Sequence, residues 1–142
     1  IVNQIGQSAL KGAKVLVGGN VPQMKGYFFN PTVVGKVTPD MSISREEVFG
    51  PVAPIIAARN PIEAIRFAND TEFGLGSSIW SEKFAKENNL VKDIEAGMVF
   101  VNSMVISDPR IPFGGIKNSG IGRELSNYGL KEFVNIKSVI MN

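Results

Sequence analysis

The segment Glu46-Glu47-Val48-Phe49-Gly50-Pro51 sets two adjacent carboxylates just ahead of an aromatic ring, at the entrance to an apolar run. Paired carboxylates accept hydrogen bonds from sugar hydroxyls and can divide acid and base roles. A solvated helix end is the plainer reading of the same pair. Phe49 offers a flat face to a planar ligand, or simply an apolar side chain to a core. A second stretch, Ile111 to Glu124, is dense in glycine at Gly114, Gly115, Gly120 and Gly122. Such density lets backbone lie close to another chain segment or to a ligand. The Gly115/Gly120 spacing fits the opening of a phosphate loop. Ile121-Gly122 stands where that loop needs Lys-Ser/Thr, however, so a structural or pocket-lining loop is the better expectation. Asn102 closes the apolar run from Gly97, at the strand end where α/β sheets bind ligands. Its amide is equally suited to satisfying loop backbone. Ser107 and Arg110 follow in the next loop and could meet an anionic group or face solvent.

Alternating elements must position these residues. Helical spacing covers Ile1 to Gly12, and Ala13 to Val17 reads as a short strand. A strand is centred on Thr32-Val33-Val34, a single helical turn covers Ser44 to Glu47, and a strand-length apolar run spans Val52 to Ala58. Asn60-Pro61, with Glu63 in the first turn, starts a helix that turns Ile62, Ile65, Phe67 and Ala68 inward and stops near Asn69-Asp70. Leu75 to Trp80 is a strand, and Trp80 a core or edge aromatic. Ser81 caps a helix to about Glu95 with Phe84, Leu90, Val91 and Ile94 inward. The continuous apolar pattern of Gly97 to Asn102 suggests burial on both faces. A helix near Leu125 to Phe133 and a strand from Val134 to Met141 complete an α/β architecture with a largely parallel sheet.

Composition narrows the chemistry. The 142 residues fit one domain, and 44% hydrophobic with 20% charged residues is enough to build a core, which excludes a disordered chain. Cysteine and histidine are absent. No disulfide, thiolate metal site, cysteine nucleophile or Ser-His-Asp triad can come from these residues, and no acidic pair has metal-ligand spacing. A net charge of +2, with the basic residues scattered, leaves no footprint for nucleic acid. No apolar stretch approaches membrane-spanning length, and no signal peptide opens the chain, so a cytoplasmic location is expected.

Taken together, the motifs point further. Gly26-Tyr27-Phe28-Phe29-Asn30-Pro31-Thr32-Val33, Glu46 to Pro51, Ala68-Asn69-Asp70-Thr71-Glu72-Phe73-Gly74-Leu75, Gly97 to Asn102, Pro112 to Gly120 and Gly122-Arg123-Glu124 occur in one order and spacing. In this the chain resembles the C-terminal third of an NAD(P)-dependent aldehyde dehydrogenase. The loop from Asn102 to Phe113, with Ile106-Ser107 inside it, looks most like succinate-semialdehyde dehydrogenases. The resemblance implies that residues 1–133 belong to the catalytic domain and 134–142 to an oligomerisation strand. Glu47 would hold the nicotinamide ribose hydroxyls and Phe49 would pack beside the nicotinamide ring of NAD or NADP. Phe113 would line the aldehyde tunnel, and Ser107 would hydrogen-bond the distal carboxylate of a semialdehyde. Val134 to Met141 would pair with a neighbouring subunit in a dimer or tetramer.

The chemistry the resemblance implies is attack of a cysteine thiolate on the aldehyde, hydride transfer to the nicotinamide and hydrolysis of the thioester. The family's nucleophile, general-base Glu, oxyanion Asn and Rossmann segment would lie upstream of Ile1. The chain also opens on Ile1 rather than Met, so the expectation is a fragment that is inactive alone, with no catalytic residue of its own. The competing expectation is a free-standing, non-catalytic α/β domain that binds a partner through its last strand.

Overall fold

Thr32-Val33-Val34 lies at the centre of a three-stranded sheet in the computed structural model, which describes residues 1–82 and 90–142. Strand β2 (Thr32–Gly35) pairs antiparallel with β1 (Lys14–Val17) and parallel with β3 (Val52–Pro54). Its central place explains its burial: Val34 is 1% and Thr32 3% exposed, whereas all of β1 is exposed. The run expected to Ala58 ends as a strand at Pro54, which has no N–H to give the ladder. Ile55 N–H still reaches Val34 O at 2.8 Å.

Helix α1 (Val2–Leu10) packs its buried Ile5 and Ser8 toward α2 (Ser42–Arg45). The α2 turn lies two residues earlier than the sequence suggests. Its Ile43 is buried, and the Ile43 N–H donates to Ser8 Oγ at 3.4 Å. Ile5, Ala13, Val34, Val37, Met41 and Ile43 form one hydrophobic core. Helix α3 (Pro61–Asn69) starts as expected, with Glu63 N–H donating to Asn60 Oδ1 at 2.9 Å. The inward face expected of it is only partly realised. Ile65 and Phe67 are half-buried, but Ile62 is 75% exposed and Ala68 is also exposed. Periodicity fixes which residues share a face, not whether another element covers that face.

These elements make one compact unit, Ile1–Asp70, and Thr71–Asn142 makes another, where the length alone suggests a single domain. In the second unit, β5 (Gly76–Ile79) pairs parallel with β6 (Met98–Val101), and β4 (Phe73–Gly74) pairs antiparallel with β7 (Ile116–Lys117). The α/β class holds, but the largely parallel sheet expected is not met: the described strands form three small sheets, with parallel pairs at β2–β3 and β5–β6 and antiparallel pairs at β1–β2 and β4–β7. In β6 only Met98 is buried, the rest being half-buried, so the two-sided burial expected from its pattern is not met within this chain. Of the helix expected from Ser81 to Glu95, Phe84 lies outside the described residues, and Leu90–Asp93 form a 3-10 turn. Helix α4 (Ser126–Lys131) lies where the sequence suggests.

Val134 to Met141, expected as a strand, forms no ladder. A strand needs a partner edge, and none of the described strands supplies one. Val134, Ile136, Val139, Ile140 and Met141 are 54–89% exposed. No helix among the described residues is long and apolar enough to cross a membrane.

Candidate functional site

The turn that follows α2 carries the first candidate pair. Burial of Ile43 against α1 fixes α2 in the core, and Val48 packs against that core from the far side of the pair. Between these anchors the chain is extended at Glu46 (φ −92°, ψ 149°). Two tight turns follow, with Gly50 N–H on Val48 O at 2.7 Å and Val52 N–H on Gly50 O at 2.8 Å. They lead directly into β3. A Cβ at position 50 would press on the Ile1 side-chain tip, which can turn aside.

Glu46 and Glu47 are not equivalent. Gln4 Nε2 donates to Glu46 Oε2 at 3.0 Å and to the Glu47 carbonyl at 3.3 Å. Glu46 is thereby drawn onto α1. The Glu47 carboxylate is exposed and has no hydrogen bond among the described residues. Phe49, two residues on, is 87% exposed, so it is not the core aromatic that its type alone allowed. The turn therefore carries an open carboxylate and, two residues on, an open aromatic side chain in the first unit. Gln4 is a site-building residue that the sequence did not reveal. It is an ordinary polar position on a helix, 42 residues from Glu46, and only the α1–α2 packing brings it near.

In the second unit, Asn102 follows β6 in the left-handed region (φ 51°), which asparagine tolerates better than most residues. Its amide binds backbone at the end of β5. Asn102 Nδ2 donates to Ser81 O at 3.0 Å, and Ser81 N–H donates to Asn102 Oδ1 at 2.8 Å. Of the two roles the sequence allows Asn102, the structure shows the loop-satisfying one. Trp80, beside this junction, is 66% exposed, an edge aromatic.

Ser107 lies exposed in the irregular segment after β6. Arg110 is engaged from within the loop: its guanidinium holds both oxygens of Asp108 at 2.6–3.2 Å. Arg110 and its N–H, which also donates to Asp108, bring that carboxyl down to about 2. The cation suggested for an anionic ligand is thus largely answered by its neighbour two residues away.

Phe113 is half-buried and anchored on both sides. Its N–H donates to Glu124 O at 2.8 Å, and Glu124 N–H donates to Phe113 O at 2.7 Å. Its ring lines a hollow of about 300 Å³ with Leu75, Ile121, Glu132 and Phe133. The glycine-rich loop around it closes on protein. Arg123 Nη1 donates to Gly115 O at 2.8 Å, and Gly74 N–H donates to Ser119 Oγ at 2.9 Å. Asn118 Nδ2 donates to Glu72 Oε2 at 2.9 Å. Gly97 runs so close to Gly114 that a Cβ on Gly97 would overlap the Gly114 carbonyl. Gly97, Gly114 and Gly115 thus serve close approach between chain segments, whereas Gly120 has open space and a left-handed backbone (φ 128°). Two backbone donors that a phosphate would need are committed, Asn118 N–H to Glu72 O at 2.9 Å and Ser119 N–H to Ile116 O at 3.2 Å.

Glu47 and Phe49 lie on one turn of the first unit, and Ser107 and Phe113 in one irregular stretch of the second. Comparison with known proteins agrees with the motif pattern. Residues 1–139 match the family described as the aldehyde dehydrogenase family. Over 139 residues the chain is 46% identical to a Mycobacterium leprae protein named succinate-semialdehyde dehydrogenase (NADP(+)), covering 98% of this chain and 30% of that protein. The solved structure of succinate-semialdehyde dehydrogenase from Burkholderia pseudomallei superposes with a TM-score of 0.90 at 41% identity, covering 96% of this chain and 28% of that one. The succinic semialdehyde dehydrogenase from Streptococcus pyogenes, solved in complex with NADP+, gives a TM-score of 0.90 at 42% identity, covering 99% and 31%. The chain therefore spans about 30% of the length of the curated relatives it matches.

Proposed function

Since the chain belongs to the aldehyde dehydrogenase family, we propose that the whole protein oxidises an aldehyde, succinate semialdehyde above others, to the carboxylic acid with NADP+ or NAD+. The observation that supports this best on the structure is the turn after α2, where the open Glu47 carboxylate stands two residues from the exposed Phe49 ring. That donor set suits a nicotinamide dinucleotide. A carboxylate is an acceptor-only group matched to ribose hydroxyls, and an exposed aromatic face suits a planar ring.

In this reading Glu47 accepts hydrogen bonds from the ribose hydroxyls and fixes the rotation of the sugar. Phe49 packs beside the nicotinamide and limits its tilt. The dinucleotide, when bound, supplies the hydride acceptor. Ser107 donates its hydroxyl to the distal carboxylate of the semialdehyde, and Phe113 forms part of the apolar wall along which the aldehyde chain lies. A nucleophile must come from outside these 142 residues, which contain no cysteine. The same reading takes the protein as a cytoplasmic homo-oligomer whose Val134 to Met141 segment adds as a strand to a neighbouring subunit's sheet. The exposed apolar side chains of that segment support this role.

The test is an assay of the purified whole protein, following nicotinamide reduction with NADP+ and NAD+ in parallel. The proposal expects oxidation of succinate semialdehyde, with higher kcat/KM than for an uncharged aldehyde of similar length. Failure to reduce either cofactor with any aldehyde overturns it.

A further inference from the structure

We infer that Gln4 is the positioning residue that separates the two carboxylates of the Glu46–Glu47 pair, turning Glu46 onto α1 so that Glu47 alone faces the ribose. This rests on the role proposed above for Glu47. The Gln4 amide spans both residues, donating to Glu46 Oε2 at 3.0 Å and to the Glu47 carbonyl at 3.3 Å. Backbone is extended at Glu46, and neighbouring side chains of extended backbone point to opposite sides. Drawing Glu46 toward α1 therefore sends the Glu47 side chain away from it, into the open position where it is found.

Gln4 has a firm base from which to do this. Ile5, next to it, is 6% exposed in the core, and Ser42 Oγ of α2 donates to the Gln4 carbonyl at 3.4 Å. The Gln4 backbone is thus tied to both helices that set the turn. Without it, no side chain of α1 holds Glu46, and the turn is free to rotate so that Glu46 in place of Glu47 faces the ligand.

The experiment uses the whole protein and reads cofactor affinity, aldehyde KM and thermal midpoint together. Gln4→Ala is expected to raise the Kd for NADP+ about three- to tenfold, the worth of one net hydrogen bond, with aldehyde KM and the thermal midpoint little changed. Gln4→Glu sets a third carboxylate against Glu46 and is expected to raise Kd further. Gln4→Lys restores a donor and is expected to recover most of the affinity. If Gln4→Ala fails to fold, Gln4→Met keeps the stem without the donor and reads the same loss.

Glu47→Gln is the control that separates the two claims. On a Glu47→Gln background, Gln4→Ala is expected to add little. An unchanged Kd in Gln4→Ala beside a raised Kd in Glu47→Gln overturns the role of Gln4 and leaves that of Glu47 standing. Undiminished loss on the Glu47→Gln background also overturns it, because Gln4 would then act by another route. An unchanged Kd and hydride-transfer rate in Glu47→Gln overturn the reading of Glu47, and the role of Gln4 with it.

Discussion

Asn102 holds the backbone of Ser81 by both ends of its side-chain amide, Nδ2 donating to Ser81 O at 3.0 Å and Oδ1 accepting from Ser81 N–H at 2.8 Å. The parallel strands β5 and β6 end together at Ile79 and Val101, and this side chain extends their pairing past the last ladder bond. It does so from a backbone with φ of 51°.

Asn102→Gly and Asn102→Ala separate the two contributions. Glycine keeps the left-handed backbone and loses both side-chain bonds, each worth about 0.5–1.5 kcal/mol. Alanine loses the same bonds and adds a backbone cost of about 1 kcal/mol. Urea unfolding of the whole protein should rank wild type above Gly and Gly above Ala. Equal stability of the two variants would mean that the backbone conformation carries no cost.

Gly97→Ala should be among the most damaging single-methyl changes in the second unit. The new methyl meets the Gly114 carbonyl, backbone that cannot rotate aside as a side chain would. An expected loss of about 3 kcal/mol follows for overpacking against fixed atoms. Gly120→Ala has open space around the new methyl, so its cost is confined to its backbone conformation (φ 128°). Thermal midpoints of the two variants decide the comparison.

Acid should loosen the start of α3. Glu63 holds the Arg59 guanidinium and its N–H, and its carboxyl falls to about 2 from an ordinary 4.5. A lowered carboxyl pKa adds stability that is complete above the unfolded value and is lost as pH falls through the folded one. The contribution of Glu63 should therefore be constant around neutrality and disappear between pH 4.5 and about 2. In Glu63→Gln that part of the acid limb should flatten. A Glu63→Gln profile that merely runs parallel to wild type would refute the assignment.

Ser107→Ala tests the substrate end. On the role proposed for Ser107, loss of its hydroxyl should cost roughly tenfold in kcat/KM for succinate semialdehyde. An uncharged aldehyde of similar length should be affected far less. Equal loss on both substrates would remove Ser107 from carboxylate recognition.

What the sequence revealed was local. Asn60-Pro61 with Glu63 announced both the helix and its cap, because every partner lies within four residues. Thr32-Val33-Val34 announced a strand, because β-branched residues report a pleated, buried surface. What it concealed depended on distant partners. Glycine at 114 and 115 signalled a close approach but not that Gly97 and Ser119 are the neighbours approached. Glu47 was legible as a motif position, while the amide that sorts it from Glu46 comes from the first turn of α1. Ile62 was assigned inward from its spacing alone, and no element of its unit buries it.

The exposed run Val134 to Met141 has a consequence for the unpaired chain. It combines strong β-formers with a single charge, Lys137, and its apolar side chains stand open to water. Segments of that kind are templates for further strands and recruit copies of themselves when no intended neighbour is present. Lys137 then acts as a gatekeeper, interrupting what would otherwise be an adhesive edge. Self-association that grows with protein concentration is accordingly expected of this chain, and light scattering across a dilution series reads it.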